Sequence, residues 1–130
     1  ESRLVNALVH TPVGQALQQL MYVTYGPVPA LREALAQVPR LEAAAIYGSW
    51  AKRRSGEPGQ VPHDLDVLAI GTPSRHALYE AIDDVEQRLG LEINVKKLSR
   101  EGWNSDDPFV KTVRSRPIIP LFGDLGDNDA

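Results

Sequence analysis

The chain has 130 residues, of which 42% are hydrophobic and 24% are charged, as expected for one soluble globular domain. The absence of cysteine excludes disulfide bonds, thiolate metal sites and a cysteine nucleophile; no apolar run is long enough to cross a bilayer, and we predict a cytoplasmic protein without a membrane partner. The net charge of −3 argues against a broad nucleic-acid-binding surface, because such surfaces are usually basic.

The first part of the chain has the pattern of helices. We predict a strand or an arm over residues 1–10, then a helix that begins at Thr11-Pro12 and ends at Gly26, since Thr caps helices and Pro is tolerated at the first helical position. A second helix is predicted over residues 29–37, and Pro39 ends it. The apolar face of the first helix could pack on its own domain or pair with a second chain as a homodimer.

The rest of the chain alternates strands and helices, with Gly and Pro between them. The elements predicted in chain order are a strand over 41–47, a helical turn over 48–53, a loop over 55–62, a strand over 64–70, a turn and cap at 71–73, a helix over 73–89, a strand over 91–98, a helix over 107–115 and a short strand over 118–122. This order predicts an α/β (α+β) fold in which helices flank a small mixed β-sheet, with extra helices at the N-terminus.

Two carboxylates lie close together on the second predicted strand. Asp64 and Asp66 are two residues apart, so both side chains point to one face of the strand, while Leu65, Val67 and Ala69 point into a core. Neighbouring carboxylates repel each other unless solvent or a cation compensates them. Paired oxygen ligands suit Mg²⁺ or Mn²⁺, which serve phosphoryl and nucleotidyl transfer. The alternative for such a pair is an ordinary solvated strand end.

A second candidate feature follows the first predicted strand. Gly48 lets the backbone approach a phosphate closely, and Ser49 offers a hydroxyl at a helix start. Lys52 and its neighbours add positive charge for a triphosphate, whereas Arg116 and other basic residues near the C-terminus are expected to form a solvated face. Each feature alone is commonly an ordinary turn or surface, but the combination with the Asp pair is far more specific.

The two features together resemble the signature of a known family. Residues 47–52 (YGSWAK), followed by residues 63–68 (HDLDVL), resemble the Gly-Ser-x-Ala-x-Gly and Ser-Asp-x-Asp motifs of the DNA polymerase β-like nucleotidyltransferase superfamily. The similarity is greatest to its minimal branch, which includes the MNT-type antitoxins. The resemblance implies a nucleotidyltransferase fold in which Gly48 and Ser49 bind the phosphates of an NTP, and Lys52 stays a nucleotide-binding candidate because of its charge. It further implies that the Asp pair binds Mg²⁺.

The most important departure of this sequence from the signature concerns the third carboxylate of the family's site. The family takes it from the next strand, and by position the residue here resembles Asn94, a weaker ligand without charge. Glu92 lies two residues earlier on the same predicted face, so it could be the third metal ligand and catalytic carboxylate beside Asp64 and Asp66. Alternatively, Glu92 is an exposed charge at a strand start. With only two carboxylates, metal affinity and catalysis would be weakened or lost.

The N-terminal segment carries a second resemblance. Residues 3–26, leading into residues 27–35, are similar to the junction in bacterial regulators that join a winged helix-turn-helix to a nucleotidyltransferase-like domain. Because the chain does not begin with Met, we expect it to be part of a longer protein with its DNA-binding module outside this sequence. The predicted organisation is an N-terminal arm and linker helix (1–26), a nucleotidyltransferase-like domain (27–122) and a disordered acidic tail (123–130).

Two functions are compatible with these features. The first is an enzyme that uses Mg²⁺ or Mn²⁺ to transfer a nucleoside monophosphate from an NTP to a hydroxyl of a protein, an RNA or a small molecule. The alternative is a catalytically degenerate domain that serves a DNA-binding transcriptional regulator or binds a toxin as an antitoxin. Glu92 oxygens within about 5 Å of the Asp pair would let one metal bridge the three groups, whereas Asn94 alone beside the pair would favour the regulatory function.

Overall fold

The computed structural model describes residues 11–17, 26–56 and 63–126. Residues 12–17 are helical, as predicted for the start of the N-terminal helix. The N-terminal arm, the rest of that helix and residues 127–130 lie outside the described residues. No helix within the described ranges has the length and apolar character needed to cross a membrane.

The elements that follow alternate as the sequence pattern indicated. In chain order they are α1 (Pro27–Leu35), β1 (Leu41–Tyr47), α2 (Gly48–Arg54), β2 (Asp64–Gly71), α3 (Arg75–Leu89), β3 (Glu92–Leu98), α4 (Arg100–Trp103), α5 (Pro108–Arg114) and β4 (Ile119–Gly123). The strands form a four-stranded sheet in the order β3-β2-β1-β4. Strands β2 and β3 are parallel, whereas β1 is antiparallel to both β2 and β4. The predicted α/β fold with a small mixed sheet is confirmed.

Alternating side chains give the sheet two buried faces. On β2, Leu65, Val67 and Ala69 belong to an apolar cluster with residues of α1 and α3, so the prediction that they point into a core is confirmed. Leu68 and Ile70 belong to a second cluster on the other face, with residues of α4 and α5. Because side chains alternate along a strand, the Asp pair of β2 shares this second face. The helices of that face therefore form the surroundings of the predicted site.

The C-terminal segment packs against the same second face. Strand β4 pairs with β1 as far as Gly123, and Leu125 is buried. The indole N–H of Trp103 donates a hydrogen bond of 2.9 Å to the carbonyl oxygen of Leu125. The part of the predicted acidic tail that the structure describes, residues 123–126, is thus attached to the domain.

Helix α3 begins later than the sequence pattern indicated. The predicted cap lay in the turn over residues 71–73, but the N-cap is Ser74, whose side-chain oxygen accepts a hydrogen bond of 3.1 Å from the backbone N–H of Ala77. A capping side chain is needed at the residue that precedes the first helical turn, and here Pro73 is buried ahead of that turn. At the other end, Gly90 has a φ of 69°, as predicted for a glycine that closes a helix.

Candidate functional site

The two aspartates meet Asn94 at one end of the sheet. In the parallel pairing of β2 with β3, Asp64 lies opposite Glu92, and Asp66 lies opposite Asn94. The side-chain amide of Asn94 donates one hydrogen bond to Oδ2 of Asp64 at 3.1 Å and another to Oδ1 of Asp66 at 3.2 Å. A single amide group therefore bridges the two carboxylates, and it comes from the residue that the resemblance aligns with a third carboxylate.

Glu92 lies next to this group along β3, and its side chain is exposed. Among the residues that the structure describes, no group of three or more His, Cys, Asp or Glu side chains is arranged to hold a metal ion. The structure thus brings Asp64 and Asp66 together with an amide rather than with a third carboxylate. The role of Glu92 as a metal ligand and catalytic carboxylate stays a prediction.

Gly48 occupies a position that excludes a larger residue. Its φ is +79°, and a Cβ atom added there would lie 2.5 Å from Oδ2 of Asp66, well inside van der Waals contact. Tyr47 pairs with Asp66 across β1 and β2, so the turn after β1 runs directly beside this carboxylate. The glycine of the signature is required here both by the left-handed backbone and by the close approach of Asp66.

A cleft with a volume of about 240 Å³ opens beside this turn, between α2 and α5. Its lining includes all three predicted nucleotide-binding residues, Gly48, Ser49 and Lys52, together with Asp66. The residues that line it from the α5 side are Phe109, Thr112, Val113, Arg116 and Pro117. One predicted metal ligand and the predicted phosphate ligands therefore share one cleft.

Arg116 is a candidate site residue that the sequence pattern did not indicate. Its position among the C-terminal basic residues predicted a solvated face; Arg116 is exposed as predicted, and it also lines the cleft together with Lys52. No signal near Arg116 in the sequence marks a site, because its location depends on how α5 packs on the sheet. The two cations give the cleft the positive charge that an anionic ligand requires.

Tyr47 forms an aromatic part of the same cleft. Its ring contacts Phe109 edge to face, with ring centroids 5.7 Å apart, and the ammonium group of Lys96 lies 5.3 Å from the Phe109 centroid. Burial raises the pKa of the Tyr47 phenol above its ordinary value of 10.0, and the negative charge of Asp66 raises it further. The phenol therefore stays protonated at neutral pH and adds no negative charge beside Asp66.

The donor set of the site fits Mg²⁺ or Mn²⁺. Asp64 and Asp66 direct one oxygen each at the same amide nitrogen, so the two carboxylates are placed to share one central group. Mg²⁺ commonly uses one or two carboxylates and completes its shell with water and substrate phosphates. The Asp pair would hold such an ion, and the cleft beside Asp66 would hold the phosphates.

Comparison with known proteins identifies similar structures but no similar sequence. No protein-family model and no curated protein matches the chain. A toxin–antitoxin complex with AMP-PNP aligns with a TM-score of 0.51 and 14% identity, over 78% of this chain and 77% of that one. A variant of the toxin–antitoxin pair MntA–HpeT gives 0.50 and 15%, over 80% and 76%. The HEPN toxin–MNT antitoxin complex of Shewanella oneidensis, with a tri-AMPylated toxin, gives 0.47 and 16%, over 82% and 73%.

These neighbours are components of toxin–antitoxin complexes. At such low identity, the similarity establishes the fold alone. The chain therefore shares the fold of these neighbours, and its mixed α/β architecture is consistent with the nucleotidyltransferase-like fold that the sequence signature predicted. The four-stranded mixed sheet, with helices on both faces, is the scaffold on which the cleft and the Asp pair are built.

Proposed function

We propose that this domain binds an NTP together with Mg²⁺ or Mn²⁺ and transfers the nucleoside monophosphate to a hydroxyl group of a partner protein. The observation that carries the proposal is the shared cleft, in which Gly48, Ser49 and Lys52 lie beside Asp66. The carboxylate of Asp64 is joined to that of Asp66 through one amide. A neighbour of the same fold is a toxin–antitoxin complex with AMP-PNP, which supports an NTP and a protein partner as ligands.

The cleft has the chemistry that a triphosphate requires. Gly48 leaves room for a close approach to the backbone, and Ser49 is exposed at the start of α2. Lys52 and Arg116 line the same cleft and carry positive charge. Hydrogen bonds from such cations to phosphate oxygens are stronger than neutral ones and contribute about 1.5–3 kcal/mol each when they are partly desolvated.

In the transfer step, the acceptor hydroxyl oxygen forms a bond to the α-phosphorus as the bond from that phosphorus to the α–β bridging oxygen breaks. Pyrophosphate leaves, held by Lys52 and Arg116, and the hydroxyl proton passes to a carboxylate, for which Asp64 and Glu92 are the candidates. Asp64 and Asp66 would hold the divalent ion, which would supply Lewis acidity to the reacting phosphate.

Titration calorimetry with ATP and Mg²⁺ tests the nucleotide site. We expect the wild-type chain to bind, and the double variant Asp64→Asn/Asp66→Asn to lose at least about tenfold in affinity, because the amides keep the size of the side chains but remove both charges. Circular dichroism of the variant checks that the fold is retained. An absence of ATP binding in the wild type would refute the proposed function.

Arg116→Ala is expected to weaken ATP binding by about threefold to tenfold, less than the loss of a partly desolvated cation would, because Arg116 is exposed to solvent. Lys111→Ala is the matched control, because Lys111 is an exposed cation of α5 that does not line the cleft. The same calorimetric titration measures both variants, and we expect the control to change the affinity by less than about twofold. Equal losses in the two variants would indicate a general effect of charge and would argue against a role for Arg116.

A catalytically degenerate regulatory domain is the second candidate, and the position of Asn94 favours it. An amide in place of the third carboxylate lowers the negative charge that attracts metal ions, and an amide cannot serve as a general base. In this case the domain would bind a nucleotide or a toxin and regulate a fused DNA-binding module. The resemblance of residues 3–26 to the junction with a winged helix-turn-helix supports the fused module. Both candidates suit a bacterial protein of the cytoplasm.

Label transfer separates the two candidates. The chain is incubated with Mg²⁺, ATP labelled at the α-phosphate, and peptides that carry Ser, Thr or Tyr hydroxyls. A labelled peptide that the wild type forms and Asp66→Asn does not form would establish nucleotidyl transfer. A lower yield of labelled peptide in Glu92→Gln than in the wild type would assign Glu92 to the reaction. ATP binding without any labelled product or pyrophosphate release would favour the regulatory candidate.

A further inference from the structure

The amide of Asn94 contacts both aspartates of the proposed metal site. Neighbouring carboxylates repel each other. Here each carboxylate accepts one hydrogen bond from the same amide nitrogen. The amide nitrogen must face the pair, because the amide oxygen would repel both carboxylates. These hydrogen bonds are charge-assisted, so Asn94 offsets the repulsion that a cation would otherwise relieve.

We propose that Asn94 takes the place of a cation between Asp64 and Asp66 in the metal-free domain, and so makes tight metal binding depend on a bound nucleotide. This inference rests on the proposed metal and nucleotide site. A divalent ion that binds Oδ2 of Asp64 and Oδ1 of Asp66, the two oxygens that the amide contacts, would displace the Asn94 amide and break both of its hydrogen bonds. A carboxylate at position 94 would attract the ion, whereas the displaced amide brings no negative charge to it.

The phosphates of the nucleotide supply the missing negative charge. The cleft that contains Lys52 and Arg116 adjoins Asp66, and an ion held by two carboxylates completes its shell with phosphate oxygens. Without a nucleotide, the ion gains only the two carboxylates and water, while the domain loses the hydrogen bonds of Asn94. Tight metal binding therefore requires the bound nucleotide. Asn94 is in this sense a positioning residue, since it acts through the two aspartates.

Binding of Mn²⁺ to the whole chain without nucleotide, followed by electron paramagnetic resonance, tests the inference. We expect Asn94→Asp to bind Mn²⁺ at least about tenfold more tightly than the wild type, because it adds a charged ligand. Asn94→Ala should bind about threefold more tightly, since it removes the competing donor without adding charge. Asn104→Asp adds the same charge at the exposed C-cap of α4 and should leave the affinity unchanged.

Three results would overturn the inference. These are equal Mn²⁺ affinity in the wild type and Asn94→Asp, an equal gain in Asn104→Asp, or weaker binding in Asn94→Ala, which is how a metal ligand behaves. Thermal unfolding gives a second readout: Mn²⁺ should raise the Tm of Asn94→Asp more than that of the wild type, even where metal-free Asn94→Asp is partly unfolded. The Mn²⁺ series contains no nucleotide, so its failure is distinct from an absence of ATP binding in the calorimetry.

Discussion

Replacing Trp103 with Ala is expected to lower the free energy of unfolding by about 3–5 kcal/mol, the usual cost of removing a large buried aromatic side chain. Trp103 has 0% exposure and belongs to the apolar cluster on the second face of the sheet. Its indole N–H binds the carbonyl oxygen of Leu125. The guanidinium of Arg114 lies 4.2 Å from the ring centroid and donates a hydrogen bond of 2.8 Å to the Trp103 carbonyl oxygen. The substitution removes the contact of the ring with Arg114 of α5 and the indole hydrogen bond to the C-terminal segment, whereas the backbone carbonyl that Arg114 binds is retained.

Urea unfolding followed by far-UV circular dichroism measures this loss. Trp103→Phe is the matched control, because it keeps an aromatic ring but removes the indole donor to Leu125, and we expect it to cost about 1–3 kcal/mol. Because α5 forms one side of the cleft, Trp103→Ala should also weaken ATP binding under conditions in which the chain is still folded. A loss of less than about 1 kcal/mol in Trp103→Ala would contradict the packing described for this face.

Gly48→Ala is expected to destabilise the domain more than Gly90→Ala, although both glycines have a positive φ. A non-glycine residue in the left-handed region costs about 1–2 kcal/mol, and this cost applies at φ +79° and at +69° alike. At Gly90 nothing lies within 4 Å of an added Cβ, whereas at Gly48 the Cβ would lie 2.5 Å from Oδ2 of Asp66. Asp66 must therefore rotate, which weakens its contact with Asn94 and adds about 1 kcal/mol.

The difference between these two variants isolates the contact of Gly48 with Asp66. Urea unfolding gives the two free energies, and calorimetry gives the effect on ATP binding, which should fall in Gly48→Ala and stay unchanged in Gly90→Ala. Gly90 is suitable as the control because it closes α3 at an exposed position outside the cleft lining. Equal destabilisation by the two substitutions would show that Asp66 does not require the glycine.

Local sequence signals were sufficient for most of the secondary structure. Strand β1 has the bounds that its apolar run predicted, because a buried strand between Pro39 and a Gly-Ser turn leaves little alternative. The predicted start of α3 was too early. Two residues that can cap a helix, Thr72 and Ser74, lie on either side of Pro73, and the local pattern does not show which of them is the N-cap. Which one caps the helix depends on how Pro73 is buried against the domain.

The candidate site was predictable only where its residues lie in one motif. The Gly-Ser turn and the Asp pair stand close together in the sequence, and the family signature joins them. Arg116 comes from a distant segment whose place in the cleft depends on the packing of Trp103 and Val110 against the sheet. Asn94 could be aligned with the third carboxylate by resemblance, but its hydrogen bonds to both aspartates follow from the parallel register of β2 and β3, which has no local signal.

The place of Asn94 in the fold has a consequence for how such a site evolves. Its side chain is exposed on β3, an end strand of the sheet, and belongs to neither apolar cluster. Codons for Asn and Asp differ at a single nucleotide, so one point mutation would exchange the amide for a carboxylate without disturbing the core. Descendants of one ancestral gene could therefore pass between nucleotide-dependent and autonomous metal binding, in either direction, while the scaffold is preserved.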